Sequence, residues 1–216
     1  MGRRLNSRTG RTAEPIHRSV DPGHRETVVR LRYMRRLSST VVVVAGERSG
    51  AVVSGLDGLH NVRAITREQR SPAEVEEAVH RSTATYVVHD ADPLAAVGDA
   101  WVDLFDGAAP VGGLEVAIET ALAGLRSDRL ALPDYYLVLD PDDMSVTRRH
   151  WWLGALADSA PSRVVPARAS AAAVTDALGR LSSGRWWPSD LEGWLRGLTR
   201  VVPDRVGLPS SSGPHL

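Results

Sequence analysis

The chain of 216 residues contains no cysteine. That excludes thiol nucleophiles, disulfides, iron–sulfur clusters and zinc sites built on sulfur. It contains no lysine either, because all 26 basic residues are arginine. Without lysine there is no complete phosphate-binding P-loop and no Schiff-base or pyridoxal chemistry. The strand lysine of protein kinases is missing for the same reason. Seven histidines are scattered without H-x-x-x-H spacing, so zinc has no support. Long apolar runs are also absent. The longest strongly apolar stretch is Val41–Ala45, against roughly 18 residues for a membrane span. No apolar stretch of signal-peptide type follows the basic start, so the expectation is a cytoplasmic protein with no membrane contact. An arginine-only composition rich in Ala, Val, Gly and Asp points to a high-GC bacterial gene.

What is present is ordinary for a globular chain: 43% hydrophobic and 24% charged residues, enough to build one core. The net charge is zero, but it is unevenly placed. Residues 1–37 carry ten arginines against three acids, and the remainder is correspondingly acidic. The expected organisation is an arginine-rich arm over 1–37, partly disordered, a single domain over 38–203, and a disordered Gly/Pro/Ser-rich tail over 204–216. The arm has two readings: a contact for nucleic acid, or an extension with no role.

Hydrophobic patterning predicts strands at Thr40–Ala45, Asn61–Thr66, Thr85–His89, Tyr135–Leu139 and Arg163–Val165. Helical patterns lie between and after them. Val28–Leu37 reads as a short strand or helix. Ser71 with Glu74, and Ser189 with Glu192, form capping-box patterns, and Ser170 is a further N-cap. Strands alternating with helices imply an α/β fold. The expectation is a three-layer, mostly parallel five-stranded sheet with helices on both faces, flavodoxin-like or half-Rossmann in topology.

In such sheets, ligands bind beyond the carboxyl ends of the strands. There the chain places His89, Asp90 and Asp92 after the third strand, and Asp140, Asp142 and Asp143 after the fourth. If those strands are neighbours, Asp90, Asp92, Asp140 and Asp142 converge on one hard cation such as Mg²⁺, with His89 as a catalytic proton donor. The other reading makes each aspartate a helix cap and His89 a core histidine. Gly46, Ser49 and Gly50 precede a helix and are candidate phosphate-binding residues. Val41–Leu94 resembles in outline a TOPRIM domain, with a hydrophobic strand running into Gly46 and a later strand into Asp90-x-Asp92. The resemblance implies divalent metal, but Ala45 stands where that family carries an acid. The Asp90-x-Asp92 pair also resembles the haloacid-dehalogenase opening, although here two strands precede it.

Five of six tryptophans lie after residue 150. On a regular helix the apolar stripe runs through Val146, Leu153, Leu156 and Ala157. Trp151 then points away, exposed or covered by something outside its own helix. With Trp186, Trp187, Arg148, Arg149 and Arg185 it makes a candidate interface. The first functional expectation is therefore a non-enzymatic interaction or regulatory module that binds a protein partner through this Trp/Arg-rich C-terminal region. The alternative is a Mg²⁺-dependent enzyme or binder of nucleotide, phosphate or nucleic acid, using the strand-end carboxylates.

Overall fold

The computed structural model describes residues 39–181 and 187–203. The arginine-rich arm, Val28–Leu37, Arg185, Trp186 and the 204–216 tail lie outside the described residues. Five strands form one parallel sheet: β1 (Thr40–Ala45), β2 (Val62–Ile65), β3 (Tyr86–His89), β4 (Tyr135–Leu139) and β5 (Val164–Ala167). The helices are α1 (Ser49–Ser54), α2 (Pro72–Arg81), α3 (Ala95–Phe105), α4 (Val111–Arg126) and α5 (Val146–His150). A π-helical segment (Trp151–Leu156) follows, then α6 (Ala157–Ser159), α7 (Ala171–Leu178) and α8 (Leu191–Gly197). No helix of the described residues is long and apolar enough to cross a membrane.

The three-layer α/β arrangement holds, with every strand parallel. The strand order is β2-β3-β1-β4-β5. This corrects the expected topology, since both flavodoxin-like and half-Rossmann orders put β2 beside β1. Here β3 takes that place. The reason lies in the side chains. β3 buries Val87 and Val88 completely, so it sits in the interior of the sheet. β2 carries the exposed Arg63, and a strand with a charge in its centre belongs at an edge.

The core divides about the sheet. Val43, Ala45, Tyr136 and Val138 face α3, α4, α8 and the π segment. Val42, Val44, Leu137 and Leu139 face α1 and α7. Val41 and Val87 pack against α2. Local signals place the helices. Ser71 and Glu74 complete a reciprocal capping box on α2, and the Ser170 side chain caps α7. For α8 the cap is Asp190, whose carboxylate accepts from the Gly193 amide at 2.8 Å, and not the expected Ser189. α5 begins at Ser145, whose hydroxyl accepts from Arg148 N.

The π segment corrects the predicted stripe. A wider turn brings residues four apart onto one face, so Trp151, Trp152, Ala155 and Leu156 point inward. Val146 and Leu153, expected in the core, are exposed instead. Trp151 is fully buried, and its cover is α3: Trp101 stacks on it with centroids 5.9 Å apart. Gly98 of α3 gives it room. A β-carbon there would lie 2.6 Å from Trp151 Nε1. Trp187 is buried against Tyr136 and donates to the Pro133 carbonyl at 2.8 Å.

Gly98→Ala is expected to destabilise the fold by about 1–3 kcal/mol, because overpacking against Trp151 outweighs the roughly 1 kcal/mol gain in helix propensity. Urea unfolding of the two proteins measures it. A more stable variant would show that α3 and Trp151 are not in this contact.

Candidate functional site

β1 lies at the topological switch of the sheet. Its connection to β2 leaves over the α1 face, while those from β3 and β4 leave over the opposite face. Crevices at such points are the common ligand sites of open α/β sheets. The rim of this one is built from Gly46–Arg48, His89–Asp92 and Asp140–Asp143, the segments singled out by the sequence.

β3 and β4 are not neighbours. β1 separates them, so their ends stand about two strand spacings apart, roughly 9.5 Å. Each aspartate is occupied separately. Asp90 Oδ1 accepts from the Arg67 amide at 2.7 Å and so ties down the β2–α2 connection. Asp92 leans across β1, and its Oδ1 accepts from Tyr136 Oη of β4 at 2.7 Å and from Leu94 N at 2.8 Å. Asp140, in the left-handed region at φ 40°, holds Arg48 at 2.6 Å and accepts from Ala169 N at 3.1 Å. Asp142 is exposed and reaches only Arg149, at 3.4 Å. Among the described residues, no three His, Asp or Glu side chains group into a cation site.

The candidate phosphate loop is similarly committed. Gly46 has φ +129°, and a β-carbon there would lie 3.0 Å from Leu139 Cβ, so only glycine fits. Ser49 N donates back to Gly46 O at 3.1 Å. The Asp90 carboxylate lies 3.1 Å from the position of a β-carbon on Gly50. An anion already stands beside the positive end of α1, and a phosphate there would meet it. After Gly50 come Ala51 and the buried Val52, where phosphate loops place Lys and Ser/Thr. The space left at the rim, between Glu47, Arg48, Leu139, Asp140 and Met144, is about 80 Å³.

Burial moves His89, Asp92 and Tyr136 under this rim away from their ordinary pKa values. His89 is buried beside Val43, and burial lowers its pKa from 6.5 to about 4. Among the described residues its Nδ1 has no hydrogen-bond partner. Burial raises the Asp92 carboxyl from 3.8 to about 6, against the lowering effect of the Tyr136 and Leu94 hydrogen bonds. Burial, followed by the Asp92 charge, pushes the Tyr136 hydroxyl well up. At neutral pH the arrangement is an uncharged imidazole beside β1 and a carboxylate fixed by a phenol. Burial thus holds both groups away from their ordinary protonation behaviour.

The interface candidates divide. Trp151 and Trp187 are core residues. Arg148 pairs with Asp99 at 2.8 Å and Arg149 with Asp142. The space that is open lies next to them. The turn that draws Trp151 and Trp152 inward leaves Leu153 and Gly154 outside, facing Val201, Val202 and Pro203 across a groove of about 550 Å³. Trp101 forms part of its wall, His150 and Asp158 its polar edge, and Leu153, Val201 and Val202 are exposed. The groove was not read from the sequence. The signal available was Trp151-Trp152, two adjacent bulky residues that a regular helix cannot bury together with Leu153.

Asp92 and His89 act on stability in opposite directions. Asp92, with its pKa raised on folding, contributes stability that is complete below pH 3.8 and lost as pH rises through about 6. His89, with its pKa lowered, contributes stability present above pH 6.5 and lost as pH falls through about 4. Asp92→Asn keeps an acceptor for Tyr136 and removes the charge. It is expected to stabilise the protein by about 1–3 kcal/mol at pH 7.5. It should also uncover the fall due to His89 between pH 6.5 and 4, which the wild type masks. Unfolding free energies across that range test both.

No family model, no curated protein and no solved structure matches this chain.

Proposed function

We propose that this chain is a non-enzymatic α/β interaction module whose protein partner docks in the groove formed by the π segment and residues 201–203. One observation carries the reading. Leu153, Val201 and Val202 leave apolar surface exposed around one groove of binding-site size, next to a rigid tryptophan core. The docking element is an apolar side chain or short apolar segment, with His150 and Asp158 available to orient it. Trp151 and Trp152 stiffen the wall from behind, and Trp101 forms part of it. The arginines of α5 hold the groove's own helix to Asp99 and Asp142.

The state of the switch-point crevice supports the non-enzymatic part. Its carboxylates are bound to the fold's own amides, phenol and guanidinium, and the volume left is below that of a small-molecule site. A second reading, phosphate or nucleotide chemistry at that crevice with Asp90, Asp92 and Asp140, draws on the perturbed His89 and Asp92 alone. It requires the Arg48–Asp140 pair to open. A bacterial origin belongs to the same proposal and stands on the arginine-for-lysine composition, and a cytoplasmic setting stands on the lack of a signal-type apolar stretch after the basic start.

The test is a double variant, Leu153→Asp with Val202→Asp. Both positions are exposed, so the melting temperature is expected to stay within about 2 °C of wild type. Chemical cross-linking in the source cells should trap a defined partner with wild type and lose it with the variant. An unchanged cross-linking pattern would refute docking at this groove.

A further inference from the structure

We propose that a notch at the β2 edge of the sheet is a binding site for a phosphate group, carried by a small phosphate monoester or free as inorganic phosphate. The notch lies away from both the switch-point crevice and the tryptophan groove. It has a volume of about 260 Å³ and is lined by Ser54, Asp57, Arg63, Thr66 and Arg70.

What sets the cations here apart is that two of them line one hollow; several other exposed arginines, such as Arg129, Arg180 and Arg200, also lack an ion pair among the described residues but line no hollow with a second one. Arg48, Arg81, Arg126, Arg148, Arg149 and Arg196 each reach a carboxylate. Arg63 and Arg70 are exposed, line the same hollow, and have no ion pair among the described residues. Of the two acids close to Arg70 in sequence, Glu68 forms no ion pair with it among the described residues, and Glu74, which feels the Arg70 charge, is bonded to Ser71, accepting from its amide at 2.6 Å and its hydroxyl at 2.8 Å. Two unpaired guanidiniums facing one open space present fixed forks of N–H donors, the geometry that oxyanions satisfy. The Ser54 and Thr66 hydroxyls add two further donors.

The backbone under these groups is held. Arg63 lies in the β2 ladder opposite Val87. The turn carrying Arg70 is fixed at one end by Asp90, through Arg67 N, and at the other by the capping box of α2. Arg70 N also donates to Arg67 O at 3.1 Å. Preorganisation of this kind lowers the entropy lost on binding.

Asp57 decides which oxyanion is preferred. It lines the notch yet forms no ion pair with either arginine. A carboxylate among the ligating groups repels sulfate, which carries no proton at neutral pH. It accepts a hydrogen bond from the remaining O–H of a singly protonated phosphate. With two arginines and one aspartate the notch bears one net positive charge, which suits an oxyanion that still holds a proton for Asp57, either a monoester monoanion or the hydrogen phosphate dianion.

Calorimetric titration tests this with inorganic phosphate, ribose 5-phosphate and sulfate, each to about 10 mM in buffered salt, beyond the millimolar range of a weak site. Phosphate and ribose 5-phosphate are expected to bind, the tighter one identifying the source, and sulfate to bind at least several-fold more weakly. Arg63→Gln and Arg70→Gln should each weaken phosphate binding about tenfold. Asp57→Asn should narrow the gap between phosphate and sulfate. All three positions are exposed, and unchanged melting temperatures would confirm that the variants fold. Absence of binding by both phosphates, or binding unaffected by the two arginine variants, overturns the proposal. Equal binding of sulfate and phosphate to the wild type overturns the role of Asp57.

Discussion

Burial of β1 on both faces is the constraint from which the rest of the molecule follows. Thr40–Ala45 supplies four consecutive valines, and Val42, Val43 and Val44 are essentially inaccessible. A strand of that kind must have a neighbour on each side and a helical layer on each face. β3 and β4 fill the flanks, α1 and α7 cover one face, and α3, α4, α8 and the π segment cover the other. Once β1 is central, its C-terminal loop sits at the switch point, and the loops of β3 and β4 stand on either side of it.

That geometry explains why the aspartates of the rim do not converge on one point among the described residues. The strand inserted between β3 and β4 keeps their aspartates apart, and each buried or half-buried carboxylate then takes the nearest donor. Asp92 reaches Tyr136, Asp90 reaches the Arg67 amide, and Asp140 takes Arg48 with Ala169 N. These contacts tie β3 to β4 over the top of β1 and anchor the loops around it. The same rim thereby fixes the turn that carries Arg70 toward the β2 edge. A rim that serves as a clamp and a peripheral notch with unpaired cations are thus two ends of one hydrogen-bonded connection.

The tryptophan cluster works in a comparable way. Trp101, Trp151 and Trp152 form a chain of ring contacts that continues through Tyr136 to Trp187, and the aromatic area they bury stiffens the side of the sheet where the chain returns through α8. Trp101 Nε1 donates to the Leu198 carbonyl at 3.2 Å, which brings residues 201–203 back beside the π segment. The groove is the space left between two segments that both pack on Trp101.

Much of the architecture was legible in the residues. A continuous β-branched run located β1 and a continuous apolar run located β4 to the residue, and Ser71 with Glu74 marked the start of α2, because those signals are local. The segments at the rim could be named because they follow strand ends, but their mutual placement could not, since β1 stands between β3 and β4. Strand order was not legible. It depends on which strand hides best, and Arg63 in β2 is informative only once β3 competes for the same place. The helix wheel failed at Trp151–Leu156, because the period itself changed from 3.6 residues under the demand to bury two large rings together. From its own residues the chain determined element type, alternation and the chemistries it lacks, all set by composition and short-range pattern. Only the tertiary structure decided which carboxylates meet, which tryptophans are covered and which arginines stay unpaired. Those outcomes turn on contacts between residues far apart in the chain, and no local pattern encodes them.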